Sequence, residues 1–145
     1  MVQDAGMRRL IEAMLLVAIL LDLTYWTLWF SQRDWIASEH TSAYYDFENA
    51  FPLADLWIGV ACVLALVALR QRRPSALLWL LAAGSAGLYL FAMDFLYDVE
   101  HGIFGKGGGG AFEALIVALT LTFAVTALSW SWRHRDELLS THPES

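Results

Sequence analysis

Four stretches of this chain stay apolar for about as long as a helix needs to cross a bilayer, which leaves few ways to fold it. They run from Leu10 to about Phe30, Pro52 to Leu69, Ser75 to Tyr97, and Ala111 to Trp132. A hydrocarbon core of about 30 Å takes roughly 20 helical residues to cross. In lipid every backbone N–H and C=O needs an internal partner, so a spanning segment is a helix or part of a closed barrel. No stretch alternates polar and apolar residues as barrel strands do. The expected fold is therefore an all-α integral membrane protein, a four-transmembrane-helix bundle forming a single membrane domain over residues 1–145. Composition agrees: 58% of the 145 residues are hydrophobic, above the roughly 45–50% of a soluble domain.

Basic residues give the expected orientation. Arg8 and Arg9 precede the first span, Arg70, Arg72 and Arg73 join the second to the third, and Arg133 and Arg135 follow the fourth. The other two connections hold only Arg33 and Lys106. The positive-inside rule then places both termini in the cytoplasm. The expected location is the plasma (inner) membrane of a bacterium. Trp26, Trp29, Trp35 and Trp57 mark the outer interface on this reading, and Trp79, Trp130 and Trp132 the inner one. The first span reads as a retained helix and not as a cleaved signal, because Asp22 interrupts it and no small-x-small site follows.

Several functions are excluded or disfavoured. The single cysteine, Cys62, allows neither an intrachain disulfide nor a CxxC redox motif. No basic face exists for nucleic acid, since most basic residues flank spans. Gly105-Lys-Gly lacks the Ser/Thr and spacing of a phosphate loop, and the run to Gly110 reads as a flexible connection. The outer loop, residues 31–51, mixes aromatic and acidic residues. It is expected to hold a short interfacial helix or lid. Ala82–Gly87 in span three, with Gly59 and Ala61 in span two, predict close pairing of those two spans. Glu12 is expected to pair with Arg8, and Thr120 and Thr122 to bond their own helix.

The acids carry the functional argument. Asp22, Asp55, Asp94, Asp98 and Glu113 fall inside or at the rim of the spans, and an acid in hydrocarbon is expensive enough to be a functional-site hypothesis by default. At about 1.5 Å per residue, Asp55, Asp94 and Glu113 lie roughly 3–5 Å below the outer boundary and Asp22 roughly 12 Å below it. The predicted ligand-binding set is Asp22, Asp55, Asp94 and Glu113 with Tyr25, Trp26, Tyr89 and Trp57. Asp94, Asp98 and His101 follow i, i+4, i+7 on one helical face, a set that could hold a divalent cation. Each acid also has a plainer role. Asp55 and Glu113 would suit helix N-termini, Asp94 could bond Tyr97, and Asp98 and His101 could be solvated past the helix end.

Three functions fit this pattern. The leading one is binding or transport through an outward-facing acidic pocket that takes a cation, either a divalent metal or a protonated amine. The second is an integral membrane enzyme acting on a lipid or isoprenoid by carboxyl acid/base chemistry. The third is a non-catalytic accessory subunit of a membrane complex. Expected partners are the lipid bilayer and a small cationic or lipid-like ligand, with the chain a monomer or homodimer. Four helices around an acid-lined pocket are similar in architecture to the emopamil-binding and sigma-2 receptor group. No stretch matches that group residue by residue, so no residue role is taken from it.

Overall fold

The computed structural model describes residues 2–37 and 39–140, and these are helical throughout, joined by short turns. Helix α1 covers Val2–Ile36, α2 Ser42–Glu48, α3 Pro52–Arg70, α4 Ser75–His101, α5 Gly107–Arg133 and α6 Arg135–Ser140. A single 3-10 turn, Ile103–Gly105, links α4 to α5. Four of these helices, α1, α3, α4 and α5, are long and apolar enough to cross a membrane. Their sides are studded with exposed leucines such as Leu20, Leu23, Leu78 and Leu115. Apolar surface of that extent in water would drive association.

The long helices run up and down, so the start of α1, the α3–α4 turn and the end of α5 share one end of the bundle, the termini end. The α1–α2–α3 and α4–α5 connections share the other, the loop end. Packing neighbours follow chain order: α1 lies on α3, α3 on α4, and α4 on α5. Helices α1 and α5 scarcely touch, so the ring is open along one side.

The buried core sits towards the termini end. Ile11 and Leu15 of α1 meet Ala61, Cys62, Ala65 and Leu69 of α3, Leu80 and Ala83 of α4, and Ala127 and Trp130 of α5. Small residues let the backbones approach. The glycines act differently from the expected α3–α4 pairing. A Cβ on Gly84 would fall 2.8 Å from Leu128 Cγ, and one on Gly87 would meet Phe123 and Ala124, so both serve the α4–α5 contact. Helix α3 does pack on α4, but its own Gly59 faces α1. Glu12 pairs with Arg8 at 3.4 Å as expected and also reaches Arg70 at 3.5 Å, tying α1 to α3.

Two connections depart from expectation. The stretch Gly107–Gly110 is not a flexible loop but the first turn of α5. Gly110 packs against the Ile103 carbonyl and the Phe104 backbone, a space that a Cβ would fill. Gly102 ends α4 in the left-handed conformation, with φ of 63°, which glycine adopts without a Cβ penalty. Helix α1 also runs past the expected end at Phe30 to Ile36, with a break at Gln32. Beyond the break the Arg33 guanidinium lies over the rings of Trp29 and Tyr45, at 5.0 and 5.1 Å.

Candidate functional site

A cavity of about 460 Å³ opens beneath α2 in the loop-end half of the bundle, between α1, α3, α4 and α5, and extends along α1 as far as Leu10. Each helix contributes one face to it at helical spacing: Asp22, Tyr25 and Trp26 from α1, Asp55 and Ile58 from α3, Leu90, Asp94, Tyr97 and Asp98 from α4, and Glu113, Ile116 and Thr120 from α5. Six carboxyl groups border this one space, because Glu48 of α2 joins the five acids of the spans. Among the described residues no lysine, arginine or histidine lines it. The volume falls within the roughly 300–1,000 Å³ of small-molecule sites.

Helix α2 forms the roof. Thr41 caps its N-terminus, accepting a hydrogen bond from the Tyr44 N–H at 3.2 Å. Tyr44 and Phe47, with Glu48 beside them, point down into the cavity. The Tyr25 hydroxyl donates to Glu48 Oε2 at 2.8 Å, so α1 pins the roof from below. Phe47 stacks on Tyr97 with ring centroids 4.0 Å apart, and Tyr97 stacks on His101 at the same distance. Trp29 is fully buried beside this roof and donates from Nε1 to Asn49 Oδ1 at 3.1 Å. Lys106 pairs with Glu39 on the loop surface, away from the cavity lining.

Asp22 and Asp55 form a pair around one indole. Trp26 Nε1 donates to Asp55 Oδ2 at 3.0 Å, and Asp22 lies within reach of both. Asp22 settles against α3 where Gly59 leaves room; a Cβ there would lie 2.6 Å from Asp22 Oδ2. The other acids gather under the roof, with Glu48, Asp55, Asp98 and Glu113 all close enough for their charge to be felt at Asp94. Asp98 is only 6% exposed. Its Oδ2, like Oδ1 of Asp55, is buried without a hydrogen-bond partner. A buried charge left without a partner costs several kcal/mol by general estimate, so these oxygens call for an explanation.

The predicted residues thus divide. Asp22, Asp55, Asp94, Glu113, Tyr25 and Trp26 line the cavity together. Tyr89 and Trp57 do not: Tyr89 faces outward, and Trp57 packs on Trp79 with centroids 6.3 Å apart. Their aromatic rings selected them as neighbours of the acids, but each lies around its helix from the lining face, Trp57 between Asp55 and Ile58 and Tyr89 beside Leu90. That Trp57–Trp79 contact also joins two rings expected at opposite interfaces.

The set Asp94, Asp98 and His101 is not drawn together as metal ligands. His101 is exposed, and its Nδ1 sits 2.9 Å from the Tyr97 carbonyl one turn back. Among the described residues no three His, Cys, Asp or Glu side chains could share an ion. Asp55 lies in the first turn of α3, as its plainer role required, and accepts from Trp26 there, while no hydrogen bond joins Asp94 to Tyr97 among the described residues. Sequence reasoning left Glu48, Tyr44 and Phe47 out of the site. Their signal was the i, i+3, i+4 spacing of Tyr44, Phe47 and Glu48 on one face of the short helix.

Fold and cavity together define a class: four helices of membrane-spanning length around a space bordered by carboxyl groups. Comparison with known proteins goes no further, since no family model, no curated protein and no solved structure matches the chain.

Proposed function

We infer that the protein is a membrane protein whose loop-end cavity binds an organic cation, a protonated amine or quaternary ammonium. The observation that carries this reading is six carboxyl groups around one space with no basic side chain lining it among the described residues. Such groups repel one another, and hydrocarbon surroundings make each charge expensive unless it is paired. A bound cation supplies the absent positive charge. The rings of Tyr25, Trp26, Tyr44, Phe47 and Tyr97 face the same space, and aromatic faces attract ammonium groups. An organic cation suits this lining better than a metal ion, because no three ligating side chains converge.

The arginine distribution supports an orientation with both termini in the cytoplasm and the cavity in the outward half of the bilayer. A bacterial plasma membrane is the location proposed. In a thermal-shift screen of the purified chain, organic ammonium compounds should raise the melting temperature. Asp22→Asn and Asp94→Asn should each remove that shift while the variants still elute as folded protein. Normal shifts in both variants would refute the cation reading.

One observation favours the second reading, an enzyme acting on a lipid or isoprenoid. The cavity continues towards the termini end along Leu10, Met14, Val17 and Leu21 of α1 and Leu119 of α5. That is the side on which α1 and α5 scarcely touch. A hydrocarbon chain could lie there with its polar end under the acids. Mass spectrometry of the purified protein decides: a specific lipid or isoprenoid at about one per chain favours this reading, and bulk phospholipid alone counts against it.

A further inference from the structure

A second cavity, of about 260 Å³, lies at the termini end, between the start of α1, the α3–α4 turn, the end of α5 and α6. Its lining has the opposite character to the first. Among the described residues Arg8, Arg72, Arg73 and His134 border it, against one acid, Glu137. Arg8 is already engaged, donating to the Leu69 carbonyl and pairing with Glu12. Arg72 and Arg73 have no acidic partner among the described residues.

We propose that this cavity binds a phosphate group. Excess arginine at this end would follow from orientation alone, but its gathering around one cavity does not. Trp130 lines the cavity and is 8% exposed, and its indole Nε1 is buried without a hydrogen-bond partner. The Nε1 has no surface open to the cavity, so Trp130 gives the site a packed aromatic wall and not a hydrogen bond. The arginines are also held by a specific turn. The Arg73 N–H bonds the Ala68 carbonyl at 2.9 Å and the Arg72 N–H bonds the Leu69 carbonyl at 3.0 Å, the paired closure of a helix C-terminus that usually places glycine in the left-handed conformation. Here Arg72 takes that position with φ of 52°. The turn places two neighbouring guanidinium groups on the cavity wall, and their planar forks match phosphate oxygens.

The phosphate could belong to an anionic lipid headgroup or be free in solution, and one experiment separates the two. Full-length protein is purified in detergent. Retention of phosphatidylglycerol and of phosphatidylcholine is measured by native mass spectrometry, and binding of inorganic phosphate by calorimetry. Wild type should retain phosphatidylglycerol at about one per chain and in preference to phosphatidylcholine. Arg72→Ala/Arg73→Ala should weaken that retention about tenfold, given the strength of charge-assisted hydrogen bonds. Trp130→Phe, which preserves the ring packing and removes only an N–H sealed from the cavity, should leave it unchanged. Arg133→Ala/Arg135→Ala removes the same charge from the same end outside the cavity and should change nothing. Saturable binding of inorganic phosphate, lost in Arg72→Ala/Arg73→Ala, would assign the site to the free anion. Phosphatidylglycerol retention without phosphate binding would assign it to the lipid. The proposal is overturned if both arginine pairs weaken retention equally, since that is surface charge alone. It is also overturned if folded wild type binds neither probe. No part of this test depends on the loop-end cavity.

Discussion

The two halves of the bundle solve opposite problems with the same four helices. In the termini half, alanine, cysteine and leucine side chains from α1, α3, α4 and α5 close on one another, and Leu15, Leu80 and Ala83 are wholly buried. In the loop half the same helices turn acids and aromatic rings inward around the polar end of a space of about 460 Å³. The first half has the small-residue contacts that hold helices together in lipid. The second has groups that destabilise the fold unless something neutralises them. The packed half therefore carries the stability, and the open half carries the site.

The comparison breaks most visibly in the packed half. Leu80→Ala should cost about 2–5 kcal/mol of stability, the usual range for an emptied core leucine. A melting experiment in detergent should show the loss, with ligand-induced shifts preserved in the protein that remains folded. A collapse of binding along with stability would mean that the halves are not separable. Next in size, Asp94→Asn should weaken binding of an organic cation by about 2 kcal/mol, roughly thirtyfold, as for hydrogen bonds to charged groups. Its melting temperature without ligand should not fall. A lower melting temperature would show that Asp94 is structural.

Gly59→Ala joins the two halves and tests the seat of Asp22. The new Cβ would fall 2.6 Å from Asp22 Oδ2, so the carboxyl must move. Binding should weaken about tenfold, within the cost of overpacking a tight site. Tyr25→Phe removes the hydroxyl that holds Glu48 and should loosen α2 by about 1 kcal/mol, read as faster amide exchange over Ser42–Glu48. The smallest effect belongs to Tyr89→Phe, which lies outside the cavity and should change stability by no more than about 0.5 kcal/mol and binding not at all.

Much of this architecture was legible from residue order. Apolar length located α3 and α4 closely, because Pro52 and Pro74 fix where those helices begin. The glycine run misled, because glycine reads as flexible until a neighbouring backbone, here that of Ile103 and Phe104, needs the missing Cβ. Helical rise placed Asp55, Asp94 and Glu113 at one height and Asp22 deeper, and the fold brings all four to one cavity. Height without rotation could not do the same for Trp57 and Tyr89. Glu48 was hidden differently: it sits on a seven-residue helix whose placement depends on Tyr25 and Tyr97, residues distant in the chain.

The central claim is that charge, more than shape, selects what enters the loop-end cavity. Its most direct test is calorimetric titration of the purified chain with two molecules of nearly equal shape, an alkyl ammonium and its neutral isostere. The account predicts that the cation binds and the isostere does not, and that Asp22→Asn/Asp94→Asn abolishes the difference. Equal binding of the two by wild type would contradict it.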